Sequence, residues 1–171
     1  MTLCPAESLR NYTPLELNII MSDAVTKFNI KPSSAREYLV AKKALQGLPS
    51  ELAQFIAEFT PQLSKRRIGE FIGKYEAYNQ AVCDSLMYKY NFSGMFLDDA
   101  IRHMLQHFRL PGEAQQIDRI LEKFSQSYHN QNPGLYPNQD LVHILSFSLM
   151  MLNTDLHNQV RDHPSLTSDC S

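Results

Sequence analysis

Apolar residues recur along this chain with a helical period, and prolines and glycines punctuate the runs. Thr13-Pro14-Leu15-Glu16 reads as a capping box with proline at the first helical position, and Leu15, Ile19, Ile20 and Val25 follow at helical spacing. A second helix is expected from Pro32, carrying Ala35, Tyr38, Leu39 and Ala41, before Gly47 and Leu48-Pro49 break it. Pro49 opens a third, with Leu52, Phe55, Ile56 and Phe59 on one face and Pro61 at its end. Ser64 caps a short fourth with Ile68, Phe71 and Ile72. A fifth is expected from about Tyr75 to Tyr90, burying Val82, Leu86 and Met87, and Asn91 to Gly94 turns the chain. Phe96 to Phe108 and Glu113 to Tyr128 read as helices on either side of Leu110-Pro111-Gly112. After the loop Asn132-Pro133-Gly134 and Pro137, a last helix runs from about Gln139 to His157. No segment alternates convincingly with the period of two that a strand needs. The expected fold class is therefore all-α, a stack of about eight short helices whose apolar stripes cover one another.

Composition narrows the class without giving a function. The 171 residues suffice for one domain with a core, and 43% hydrophobic with 20% charged residues is ordinary for a globular protein. Residues 1–13 read as a flexible leader and 14–171 as the domain. A net charge of −2 gives no surplus for neutralising phosphates, so nucleic acid is not an expected partner, and Lys65-Arg66-Arg67 reads as a solvated helix face. Cys4, Cys83 and Cys170 have neither disulfide-framework nor zinc spacing and fit a reducing compartment, so a cytoplasmic location is expected. The start, Met1-Thr2-Leu3-Cys4-Pro5, lacks the pattern of a signal peptide. The most apolar stretch, Leu141 to Leu152, contains His143, Ser146 and Ser148 and falls short of the roughly 20 residues a bilayer needs.

The stretch Phe108-Arg109-Leu110-Pro111-Gly112-Glu113-Ala114-Gln115-Gln116-Ile117-Asp118-Arg119 carries the candidate chemistry. Pro111-Gly112 makes a tight turn and sets Glu113 at the start of a helix, where its charge meets the positive helix terminus. On spacing alone, an ordinary helix-start acid and a functional acid both remain open. The stretch resembles the first signature of the Sec-7 family, the Arf guanine-nucleotide exchange factors that include cytohesins. The second signature is matched by Leu145-Ser146-Phe147-Ser148-Leu149-Met150-Met151-Leu152-Asn153-Thr154-Asp155-Leu156-His157-Asn158. Ile68-Gly69-Glu70-Phe71-Ile72-Gly73, Asn132-Pro133-Gly134 and Phe28-Asn29-Ile30-Lys31-Pro32 stand in the expected order, so the likeness covers roughly Leu17 to Asp162.

The resemblance implies a right-handed helical array that acts on an Arf-family small GTPase, with no cofactor or metal of its own. The residue matching the family's glutamic finger is Glu113. A carboxylate pushed into the partner's magnesium–phosphate site repels the phosphates and competes for the lysine that holds them, so GDP affinity falls without any covalent step. By the same resemblance, the Gln139–His157 helix and the two before it form a groove for the GTPase. Phe147 and Met151 would line it with Met150 on the same partner-binding face, Asp140 would sit at its rim, Asn158 would close it, and Phe108, Arg109 and Leu110 would flank the finger. Family members reach Golgi, endosomal or plasma membranes, and here such contact is expected only indirectly, through the GTPase or further domains. The sequence departs from the family pattern after Asn158, where a proline is missing and the segment is one residue shorter. His143 also stands where an aromatic is common. About two further helices of the family have no counterpart before Ser171, which implies exposed apolar surface on the groove helix.

The residues also admit other readings. A binding module that captures the GTPase without releasing its nucleotide is the alternative to an exchange factor. His103 and His107 stand four apart on one helix, but the residues between them lack the glutamate of a zinc-protease motif, so a packed pair is expected rather than a metal site. Asn153, Asp155 and His157 read as helix-end residues bonding local backbone rather than as an acid–base set. No Walker-type glycine loop is present, so any nucleotide belongs to the partner.

Overall fold

The computed structural model describes residues 12–159, those after Leu152 by backbone alone. Among the described residues eight helices follow one another: α1 (Pro14–Ile30), α2 (Pro32–Ala41), α3 (Pro49–Phe59), α4 (Lys65–Ile72), α5 (Ala77–Met87), α6 (Leu97–Leu105), α7 (Ala114–Gln131) and α8 (Gln139–Gln159). No strand occurs among the described residues.

Local chemistry starts these helices where the sequence signals lie. The Thr13 hydroxyl accepts from the Glu16 amide at 3.3 Å while the Glu16 carboxylate accepts from the Thr13 amide at 2.8 Å. Each bond satisfies a donor that a helix start leaves open. Glu51 serves α3 in the same way, accepting from the amides of Leu48 and Gln46. The Ser64 hydroxyl accepts from Arg67 to start α4. The fifth and sixth helices are shorter than the periodicity suggested, because Tyr75 and Glu76 and the segment 106–108 fall outside them.

Helix α1 packs on α2, α3 on α5, α5 on α7 and α7 on α8, while α4 meets α5 and α2, and α6 meets α8. Phe28, Phe55 and Phe71 form one aromatic knot, with centroids 6.1–6.3 Å apart about Phe28. Phe92, Phe124 and Tyr128 form a second between the turn that precedes α6 and helix α7. Such side chains each contribute roughly 1.5–3 kcal/mol on burial. The expected stripe of α1 is only half right: Ile20 and Val25 are buried, but Leu15 and Ile19 are exposed.

Two side-chain amides, Asn132 buried and Gln131 half-buried, lock the end of α7 to the turn before α6. Asn132 accepts from the Gly94 amide at 2.7 Å and donates to the carbonyls of Phe92 and Tyr128. Gln131 accepts from the Phe92 amide and donates to the Tyr90 carbonyl. With their polar atoms satisfied, these side chains fix α6 and α7, and therefore the loop between them. Cys83 is a free thiol that burial pushes up to about 12, which keeps it unreactive. No helix among the described residues is long and apolar enough to cross a membrane.

Candidate functional site

The loop between α6 and α7 is held from below by α4. Phe108 is fully buried and anchors the loop in the core. The Arg109 amide donates to the Lys65 carbonyl at 3.0 Å, which ties the loop to the start of α4. The approach is close enough to need a bare backbone at Gly69, where an added Cβ would lie 1.8 Å from the Arg109 carbonyl oxygen. Gly73, one turn on, leaves room for Gln116 of α7, whose Cβ would stand 3.0 Å from such an atom. The Arg119 Nε donates to the Gly73 carbonyl at 3.0 Å, fastening α7 to the other end of α4. Two glycines four residues apart thus form a flat seat across which the loop passes.

Above that seat the chain emerges into solvent. Leu110 and Pro111 are half-buried, while Arg109, Gly112 and Glu113 are exposed. Glu113 occupies the N-cap of α7 in extended conformation, φ −100° and ψ 122°, and its carbonyl accepts from the amides of Gln116 and Ile117. Its side chain does not cap α7; instead the carboxylate accepts from the Gln116 side-chain amide. The negative group therefore stands at the positive end of an 18-residue helix, on an exposed tip with a fixed base.

Helix α8 lies against α7 and α6. Asn138 accepts from the Leu141 amide at its start, and Val142 and Ser146 face the interior. Asp140 is exposed near the N-terminus. His143 Nε2 stands 3.1 Å from Asp118 Oδ1 across the α7–α8 contact, an ion-pair distance without hydrogen-bond alignment. Phe147 and Met150 are partly buried against the core, and Met151 is half-buried. Ile144, Leu145, Leu149 and Leu152 are exposed. A groove of about 280 Å³ runs between α6 and α8, lined by Ile101, Leu105, Leu149, Met150 and Leu152 with Asp98 and Arg102 beside them.

The structure therefore gathers Arg109, Leu110 and Glu113 at one surface and sets Phe147, Met150 and Met151 on α8. One expectation changes. Phe108 supports the loop rather than flanking its acid at the surface, because a large ring just past a helix end finds the core. The α6–α8 groove takes in Met150, while Phe147 and Met151 lie outside its lining. The side chain of Asn158 lies outside the described residues, as do those of Asn153, Asp155 and His157. Sequence reasoning quoted Gly69 and Gly73 without assigning them work. Gly69 inside an eight-residue helix is the available signal, since it costs helix propensity that a close contact must justify, whereas Gly73 at the C-cap reads as an ordinary helix stop.

His103 of α6 and His107, just past its end, are packed against aromatic rings. His107 stacks on Tyr90 at 4.3 Å, and His103 meets both rings edge-on. Burial first, then the nearby His103 and Lys65 charges, hold His107 below its ordinary value. No cluster suited to a metal ion occurs among the described residues.

The chain is similar to known proteins. Human cytohesin-2 is 41% identical over 153 residues, spanning 89% of this chain and 38% of that protein. The ADP-ribosylation factor guanine nucleotide-exchange factor Sec-7 of Saccharomyces cerevisiae is 38% identical over 148 residues, spanning 85% of this chain and 7% of that one. The chain thus covers well under half the length of these relatives. Among solved structures, the Sec-7p catalytic domain superposes with a TM-score of 0.74 at 35% identity, covering 94% of this chain and 81% of that one. A Sec-7 domain complexed with brefeldin A and bound to ARF1-GDP gives 0.74 at 31% identity, over 90% of this chain and 75% of that one. The model of the Sec-7 domain matches residues 18–168, which includes the glycine-seated loop, and the chain belongs to the Sec-7 domain family.

Proposed function

We propose that this chain promotes GDP release from an Arf-family small GTPase, with the Glu113 carboxylate as the acting group. The observation that carries the reading is an exposed carboxylate on a loop tied to the start of α4 at Arg109 and followed by a helix tied to the end of α4 at Arg119. The family membership supports it, as do a relative named as an ADP-ribosylation factor guanine nucleotide-exchange factor and a related domain bound to ARF1-GDP. A negative charge on a stiff tip enters a magnesium–phosphate site at little ordering cost and weakens nucleotide and metal together. Linkage makes the effect reciprocal: a surface that lowers the GTPase's affinity for GDP binds the empty GTPase more tightly than the loaded one. Arg109 and Leu110, beside the acid, and Asp140, Phe147, Met150, Met151 and Asn158 along α8 are proposed to hold the partner.

The test compares wild type with Glu113→Lys in a GDP-release assay on purified Arf, beside a pull-down of the same GTPase. Wild type is expected to accelerate release and Glu113→Lys to lower that rate by about 100-fold, in the range seen when a preorganised charged contact is removed. Capture of Arf without acceleration by wild type would make the chain a binding module instead. Equal release by the two proteins would remove Glu113 from the mechanism.

A further inference from the structure

A second surface lies on the side of α4 away from the glycine seat. Arg67 and Glu70 of α4 and Lys74, just past its C-cap, stand three to four residues apart, and the two helical residues lie off the face that carries Gly69. They face the junction of α1 and α2 across an open cleft of about 160 Å³, lined also by Ile30, Lys31, Pro32, Ser33 and Phe71. Three cations and one carboxylate thus converge in a chain whose net charge is −2. That carboxylate is already engaged: Glu70 binds Arg66 at 2.8 Å and Arg67 at 3.1 Å. Lys31 and Lys74 have no carboxylate partner among the described residues, and both are exposed. The start of α2 opens into the same place, with Lys31 at its N-cap and no side chain capping its amides.

Charge alone would suit any anion, but a bare aliphatic side chain lines the cleft and an exposed tyrosine follows Lys74 in the chain. Ile30 is 71% exposed, and Tyr75, next to Lys74, is 83% exposed with the Arg119 guanidinium 5.9 Å from its ring. Aliphatic and tyrosine side chains standing among lysines match a phospholipid interface, where rings and stems enter the headgroup layer and ammonium groups stay with the phosphates. We propose that this cleft and its rim are a direct docking surface for an anionic bilayer. It would bring the α4-mounted loop to the membrane without help from a partner. The inference does not depend on the exchange reading, because it concerns the chain alone with lipid.

The test is sedimentation of the full chain with phosphatidylcholine vesicles, with and without phosphatidylserine, at low and raised salt. Binding is expected only with phosphatidylserine and is expected to weaken as salt rises. Lys31→Glu combined with Lys74→Glu should lower partitioning by at least about tenfold. Lys42→Glu combined with Lys89→Glu makes the same net change away from the cleft and should bind as wild type does. Circular dichroism of both double variants should match wild type, and the neutral pair Lys31→Gln with Lys74→Gln replaces the first if it does not. The proposal is overturned by no binding, by equal binding to both vesicle types, or by equal loss in the two double variants.

Discussion

His107 shows how a residue just before the loop takes its character from packing. Its imidazole is stacked on Tyr90 and held below its ordinary value of 6.5 chiefly by burial, with His103 and Lys65 adding repulsion. The unfolded chain therefore takes up a proton at this position before the folded chain does as pH falls. The stability tied to the neutral ring is fully present above about pH 6.5 and is lost as pH drops from there toward the folded value. Urea unfolding of wild type should show a lower midpoint at pH 5.5 than at pH 7.5, and His107→Gln should lessen that difference. An unchanged difference in the variant would mean that other groups carry the acid sensitivity. The sequence showed the histidine pair and gave reason to doubt a metal. It could not show Tyr90 arriving from the end of α5 to cover the ring, because that contact is made by the fold.

At the scale of elements, caps and breakers located all eight helices, since Thr13, Pro32, Pro49 and Ser64 act through bonds within a few residues. Burial was less legible. Leu15 and Ile19 kept helical spacing in α1 yet face solvent, because a period shows that a helix has an apolar face without saying how wide the neighbour covering it is. The glycines of α4 were the larger omission, since their work depends on a loop some forty residues later. Gly69→Ala should therefore act at a distance. Its methyl group would overlap the Arg109 carbonyl, so α4 or the loop must shift. A cost of about 1–3 kcal/mol is expected, read as a lowered melting temperature. A fall of about tenfold or more in Arf nucleotide release should accompany it, given how steeply rate depends on the placement of an acting group. Melting and release both equal to wild type would show that the seat is not needed.

For the molecule as a whole, the helices act mainly as a mount. Phe108 below, Lys65 and Gly73 at the sides, and the Asn132 and Gln131 clamps at the far end of α7 leave the Glu113 segment little freedom while the carboxylate stays in water. The loop could be found in the sequence because its chemistry is contiguous, running from Phe108 to Arg119. The outward face of α8 was harder to read because the helix is apolar on several sides, and only packing decides that Val142 and Ser146 turn inward while Leu149 and Leu152 turn outward. The measurement closest to the central claim is GDP release from Arf with Glu113→Gln, which keeps the shape of the side chain and removes only its charge. The account expects the variant to capture Arf as wild type does while losing most of the acceleration. Release by Glu113→Gln as fast as by wild type would contradict it, because the loop would then work by shape and not by charge.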